Sequence, residues 1–445
     1  MKLSQEITYP VGVISGGAEV PHRKNTAEIT SVAMPSPKTV LIPMSQHIGA
    51  PCEPTVKVGD EVFVGTLIGD SEKYISAPIY SSVSGTVKSI DDFCLSNGGK
   101  CKAVVIESDG KDTPCPDLKP IEINTIDDLV KATRACGLVG LGGAGFPTHV
   151  KLTPKDESSL DTLIINGAEC EPYITSDYRS CIEDYDDIIE GVYLLKKIIG
   201  FKRVFIAIED NKPEAIEKLA VLAADKRDED NSVKVLKLKS RYPQGAEKVL
   251  IYTATKRRLP LGALPSDVGC MVLNITSIAT LYRYIRTGMP LVKKRITVDG
   301  TAVAEPKNVI VPLGTRIADL IEFCGGFKAD PAKVLYGGPM MGVTVESLDK
   351  PILKQNNAIL AFSDMADLFP ESTSCINCGR CYRACPMQLM PCSVEAALKK
   401  DAPAALTKLH VNYCMECGSC SFSCPAKRPL TQIMRLAKNK VRGGK

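Results

Sequence analysis

The feature that most constrains this chain is a cysteine run made twice near its carboxyl end. Cys375-x2-Cys378-x2-Cys381-x3-Cys385-Pro386 is followed by Cys414-x2-Cys417-x2-Cys420-x3-Cys424-Pro425. Three thiolates at two-residue intervals wrap one face of an iron–sulfur cubane, and the fourth, followed by proline, diverges to the other cluster. The expected ligand sets are crossed. Cys375, Cys378, Cys381 and Cys424 would hold one [4Fe–4S] cluster, and Cys414, Cys417, Cys420 and Cys385 the other. Structural zinc fits less well, because it takes two ligand pairs and has no use for a third Cys in each run. Cys392 lies outside both runs and reads as a buried spectator, as do Cys136 and Cys170.

Nine of the 18 Cys fall between Cys375 and Cys424. The opening MKLSQEITYP has no apolar stretch of the secretory kind, so a disulfide framework is not expected and a reducing compartment is. A length of 445 residues implies about three or four domains. The net charge of +4 excludes a nucleic-acid polycation, and the basic excess is confined to the end, where Ala426 to Lys445 carries Lys and Arg but no acid. No segment reaches the ~18 consecutive apolar residues of a membrane helix. The best candidate, Val268 to Leu281, is interrupted by Asn274, Thr276, Ser277 and Thr280.

The chain divides into four expected units. Residues 1–115 begin loop-rich, then Val56 to Val87 alternates in short segments broken by Gly59-Asp60 and Gly69-Asp70, the pattern of small hairpins in a flattened lipoyl-like barrel. Lys73 stands near where a lipoyl lysine would, but about two residues short of the spacing, so structural use is expected. Residues 120–290 alternate helix and strand: helix Asp127 to Ala135, strand Leu160 to Ile165, helix Asp186 to Ile199, strand Arg203 to Ile208, helix Pro213 to Ala224 and strand Val233 to Leu238. That argues for a parallel sheet covered by helices, with the acidic Asp225 to Ser232 as a loop. Residues 294–347 read as a compact α+β module around one helix, Ile317 to Cys324. Residues 364–445 hold the cysteine runs and a basic helix starting near Pro429, with Leu430, Ile433, Met434 and Ala437 on one face.

Gly140-Leu-Gly142-Gly143-Ala-Gly145 satisfies GxGxxG but follows a helix rather than a strand, which is not the standard dinucleotide context. The physical logic of such a loop still holds: without Cβ atoms, backbone N–H groups approach a phosphate or a flat ring closely, and Lys151 adds a charge. After the next strand come Asn166, Glu169 and Glu171, placed where open α/β sheets bind ligands. The two acids could instead cap the following helix.

The segments GLVGLGGAGFPTHVK and INGAECEPYITSDYR resemble the flavin and NADH segments of the NADH-binding flavoprotein subunit of respiratory complex I. The whole order is similar to the RnfC family, a component of the Rnf ion-translocating ferredoxin:NAD oxidoreductases: lipoyl-like barrel-sandwich domain, Rossmann-like α/β flavin domain, β-grasp module, two-cluster ferredoxin-like helical domain. The resemblance implies FMN in the α/β domain, cradled by the glycine loop and Lys151, with NADH above it. Asn166, Glu169 and Glu171 would lie near flavin and nicotinamide, and Phe146 would stack on adenine. Tyr242-Pro-Gln-Gly245-Ala-Glu247 and Asn274-Ile-Thr276 match further pocket segments. Leu141 stands where the complex I subunit has Arg. The resemblance further implies an NAD-reactive peripheral subunit on the cytoplasmic side of the membrane, passing electrons among NADH, FMN and two clusters. Its partners would be other subunits of the complex and a ferredoxin or internal iron–sulfur subunit, and no acid–base side chain is needed. Two rivals stand beside it, a cobalamin reductase of the propanediol-utilisation type and an iron–sulfur conduit without flavin.

Overall fold

The computed structural model describes residues 6–96, 98–153, 160–226, 231–364 and 370–443. Between residues 39 and 108 the short alternating segments pair into two antiparallel sheets. One runs Thr39–Pro43, Lys100–Ser108, Gly85–Cys94, Glu61–Val62, and the other Glu53–Pro54, Leu67–Asp70, Ile79–Tyr80. Their inward residues, among them Val40, Ile42, Met44, Ile68, Ile79, Val104 and Ile106, form one core. Gly59-Asp60 makes the expected turn into Glu61–Val62, but Gly69-Asp70 does not turn. It lies within a strand paired with Glu53 and Pro54. Glycine is needed there because Met44 Sδ occupies the space of a Cβ. Asp70 turns outward to Arg134 Nη2 at 2.7 Å, joining this unit to the next.

The second unit is built on a parallel sheet in the order Ile7–Thr8, Val233–Leu238, Arg203–Glu209, Thr162–Gly167, Cys270–Asn274. The helices Tyr185–Ile199, Pro213–Asp225 and Ile275–Thr287 bury their apolar faces against it. The apolar stretch from Val268 to Leu281 is thus a buried strand leading into a helix. No helix among the described residues is long and apolar enough to cross a membrane. From the Thr162–Gly167 strand the chain adds strands on one side, then returns with Cys270–Asn274 on the other. That reversal opens a crevice at the carboxyl ends of these two strands. Of the acidic stretch Asp225 to Ser232, residues 227–230 lie outside the described residues.

The third unit is a mixed sheet, Val343–Thr344, Lys333–Tyr336, Ala358–Phe362, Lys293–Asp299, Lys307–Pro312, Val32–Ala33, with the helix Ile317–Phe323 against it. It extends past the expected limit at 347, since Ala358–Phe362 lies inside the sheet and is wholly buried. The amino-terminal segment also differs from the expected 1–115 unit. Ile7–Thr8 edges the parallel sheet and Val32–Ala33 edges this one, as two-residue strands too short to show a period.

The last unit is helical among its described residues. Pro391–Lys399, Pro403–Lys408 and Leu430–Gly443 enclose Leu389, Val394, Leu406, Val411, Met434 and Ala437. On Leu430–Gly443 the buried face holds Leu430, Met434 and Ala437, with Ile433 half-buried and Lys438 taken inside by an ion pair to Glu416.

Candidate functional site

The crevice is framed in register: Asn166 pairs with Asn274 at the carboxyl ends of the two strands that diverge there. Asn274 caps the helix Ile275–Thr287 by accepting from Ser277 N, and its Nδ2 donates to Asp177 Oδ2 at 2.7 Å. Thr276 donates to Asp177 Oδ1 at 2.7 Å. Asn166 Nδ2 donates to the Gly245 carbonyl at 2.8 Å, which brings the Gln244 to Glu247 segment to the same edge. Lys151 Nζ pairs with Glu247 at 3.4 Å and reaches the Val272 carbonyl at 3.3 Å.

The glycine loop closes over this edge. Its ends are tied by Gly140 N to the Phe146 carbonyl, 2.9 Å, and Thr148 N to the Leu138 carbonyl, 3.1 Å. Leu141 N donates to Ser277 Oγ at 3.3 Å. A Cβ on Gly142 would lie 2.5 Å from Asn274 Nδ2, so this close approach requires glycine, whereas a Cβ on Gly143 would meet nothing within 4 Å. Among the described residues the N–H groups of Gly142, Gly143, Ala144 and Gly145 donate to no protein acceptor. A glycine-rich run of unpaired donors, exposed from Gly142 to Ala144 and with Ala144 its one Cβ, suits a phosphate ester.

The two acids are already engaged. The Glu169 carboxylate accepts from Asp177 N at 2.6 Å and Tyr178 N at 3.1 Å, closing the amino end of the helix Ser176–Glu183. Glu171 accepts from Met340 N, 3.0 Å, and Met341 N, 2.9 Å, in the third unit, and the Tyr242 hydroxyl lies 3.4 Å from its Oε1. Burial pushes Glu171 up to about 7. Sequence reasoning missed Lys24, whose buried ammonium donates to the carbonyls of Glu169, Glu171 and Ile174 at 2.8, 2.9 and 2.5 Å. Nothing local marks it, because its partners lie some 150 residues away in the chain.

In the helical unit Cys385, Cys414, Cys417 and Cys420 line one cavity, together with Met387, Gly418 and Met434. The fourth Cys of the first run therefore joins the first three of the second. At the other end Thr373 N donates to the Ala426 carbonyl at 3.0 Å, and the Arg428 guanidinium lies beside both Cys375 and Cys424. Among the described residues no three His, Cys, Asp or Glu side chains converge on a point as a single ion requires. Four thiols spread round a cavity fit a cage-shaped cluster better than an ion. Cys392 is half-buried against Cys381 rather than isolated, and Cys170 is half-buried while Cys136 is buried.

One side chain joins crevice and thiols. The buried Tyr242 hydroxyl, besides meeting Glu171, donates to the Cys417 carbonyl at 2.6 Å.

Residues 133–283 match the Nuo51 FMN-binding domain, residues 13–111 the RnfC barrel sandwich hybrid domain, and residues 295–344 the SLBB domain. The C component of a proton-translocating ferredoxin:NAD(+) oxidoreductase complex from Clostridium ljungdahlii is 44% identical over 85% of this chain and 82% of its own. The chain belongs to the RnfC family. Another member, the C component of the Na(+)-translocating ferredoxin:NAD(+) oxidoreductase complex of Acetobacterium woodii, is 40% identical over 97% of both chains. The C component of the ion-translocating oxidoreductase complex of Rhodobacter capsulatus is 36% identical over 94% of this chain and 81% of its own. The three domain matches name the first three units of this RnfC protein in chain order.

Proposed function

We propose that this RnfC protein is the NAD-reactive peripheral subunit of a membrane ion-translocating ferredoxin:NAD oxidoreductase. It would pass electrons between NADH, FMN and two [4Fe–4S] clusters, docked on the cytoplasmic side against the other subunits. The observation that carries this reading is the Tyr242 bridge, because it fixes a nucleotide-type crevice directly against a thiol-lined cavity. FMN supplies the step between a two-electron hydride donor and one-electron acceptors.

The chain's own residues bind and orient. Gly142, Gly143 and Gly145, with Gly140 tying the loop, would offer N–H groups to the phosphate, and Lys151 a charge at the crevice edge. Phe146 would offer an aromatic face to adenine. Asn166 and Asn274 anchor the two paired strand ends to Gly245 and Asp177, and Gly245, Glu247 and Thr276 fix the walls through Asn166, Lys151 and Asp177. Glu169 would act by fixing the helix that carries Asp177, and Glu171 by holding the third unit over the crevice. Cys375, Cys378, Cys381 and Cys424 would ligate one cluster, and Cys414, Cys417, Cys420 and Cys385 the one nearer the crevice. The relatives' names favour neither a cobalamin reductase nor a flavin-free conduit.

An anaerobic titration of the purified chain with NADH, following flavin and cluster absorbance together, tests the reading. Bleaching of both is expected. Clusters reduced by dithionite but untouched by NADH, even with added FMN, would refute it.

A further inference from the structure

Beneath the glycine loop lie two lysines that no ligand motif includes. Lys294, on the Lys293–Asp299 strand of the third unit, donates from Nζ to the Leu141 carbonyl at 2.6 Å and the Lys354 carbonyl at 2.9 Å. Lys354 donates from Nζ to the carbonyls of Pro78 and Gly137 at 2.6 and 2.7 Å. Both are buried, Lys354 completely. Among the described residues neither makes an ion pair with a carboxylate, although Asp177 faces Lys294 from the crevice and Asp70, Cys52, Cys136 and His47 lie around Lys354. Asp177 itself is taken by Asn274 and Thr276.

A buried ammonium without a counterion is costly, and folds keep such groups paired or close to an anion. Here one is kept on a carbonyl of the loop itself, Leu141, and the other behind it, on Gly137 just before the loop and on Pro78. In a trans peptide the C=O and the following N–H point in opposite directions. Lys294 on the Leu141 carbonyl therefore turns the Gly142 N–H away from itself, toward the open side where the N–H groups of Gly142 to Gly145 lack acceptors.

We infer that Lys294, backed by Lys354, is a positioning residue for the flavin phosphate. The third unit supplies from behind the loop the positive charge that the loop, with Leu141 in it, does not carry. The missing counterion is then the phosphate dianion itself. This rests on the FMN reading above. Burial holds the Lys294 ammonium down to about 7 and the Lys354 ammonium down to about 8, so an arriving dianion would draw protons onto them.

The test compares FMN with riboflavin, which lacks the phosphate, on the full chain freed of flavin. Wild type should prefer FMN. Lys294→Met should cut that preference about tenfold or more while leaving riboflavin affinity unchanged, and Lys294→Arg should keep it. Equal loss of both flavins would mark Lys294 as merely structural, and an unchanged preference would give it no role; either overturns the inference and leaves the FMN reading standing. Wild type that bound neither flavin would overturn both. Should Lys294→Met fail to fold, calorimetry of FMN binding to wild type at pH 8 in buffers of different ionisation heat replaces it. Proton uptake is expected, and its absence overturns the inference.

Discussion

The hydroxyl of Tyr242 lies 2.6 Å from the main-chain oxygen of Cys417, and the same hydroxyl faces Glu171. The Tyr242 main chain is itself paired with Ala18, and Gly17 N donates to the Ala384 carbonyl beside Cys385. Among the described residues the contact between the α/β unit and the thiol cavity thus includes hydrogen bonds to the backbone of the cysteine runs, and beside them the Lys248 ammonium lies over the Tyr413 ring. Tyr242→Phe keeps the ring and removes the donor, leaving a buried carbonyl unpaired at a cost of about 1–3 kcal/mol. Flavin reduction by NADH should survive, while the following cluster reduction slows. Stopped-flow absorbance at flavin and cluster wavelengths separates the two, and equal rates in both proteins would show the bridge is not used.

Cys385 shares its cavity with Cys414, Cys417 and Cys420, which supports the crossed ligand sets proposed above. Cys385→Ala should disturb the cluster of Cys414, Cys417 and Cys420, and Cys424→Ala that of Cys375, Cys378 and Cys381. Paramagnetic resonance of the reduced variants checks this; loss of the sequence-neighbouring cluster instead would make the ligation uncrossed.

Burial raises Glu171 from 4.5 to about 7. Between those values the folded chain holds a proton that the unfolded chain has lost, so this group's contribution to stability falls as pH rises from about 4.5 to 7 and stays low above. The span corresponds to at most about 3 kcal/mol. Glu171→Gln lacks the titration. The stability of wild type relative to Glu171→Gln should therefore decline between pH 5 and pH 8 in urea unfolding, and a flat difference would place Glu171 in a wetter setting.

At Gly143 a Cβ has open space and the backbone needs no left-handed conformation. Gly143→Ala should leave the thermal midpoint of the flavin-free chain unchanged and still weaken FMN binding, since the methyl stands on the ligand side. Gly142→Ala should lower both, because Asn274 must move. Loss of stability at Gly143, or unimpaired FMN affinity, would remove the loop from the site.

Much of this was legible in the sequence because the signals are local. Cysteine spacing fixes which thiols share a loop, a glycine run fixes where backbone is bare, and the alternation of Leu160 to Ile165 with Asp186 to Ile199 fixes strand and helix. The carboxylates were harder. Glu169 and Glu171 are one residue apart and both follow a strand, yet one caps the next helix and the other crosses to Met340 and Met341. Nothing in their spacing tells these fates apart.

The buried lysines were not legible at all. Lys293, Lys294 and Arg295 are three consecutive cations in the sequence, yet Lys293 is exposed while Lys294 and Arg295 are inside, the latter held by Glu183 and Asp184. Lys24, Lys294 and Lys354 each bond carbonyls far away in the chain. A main-chain carbonyl has no residue identity, so no pattern of letters announces that a lysine will seek one. The sequence by itself determined which groups could hold clusters and where a phosphate could approach. Only the tertiary structure decided how the crevice is charged and what ties it to the thiols, because those depend on which distant backbone oxygens come within reach of a buried side chain.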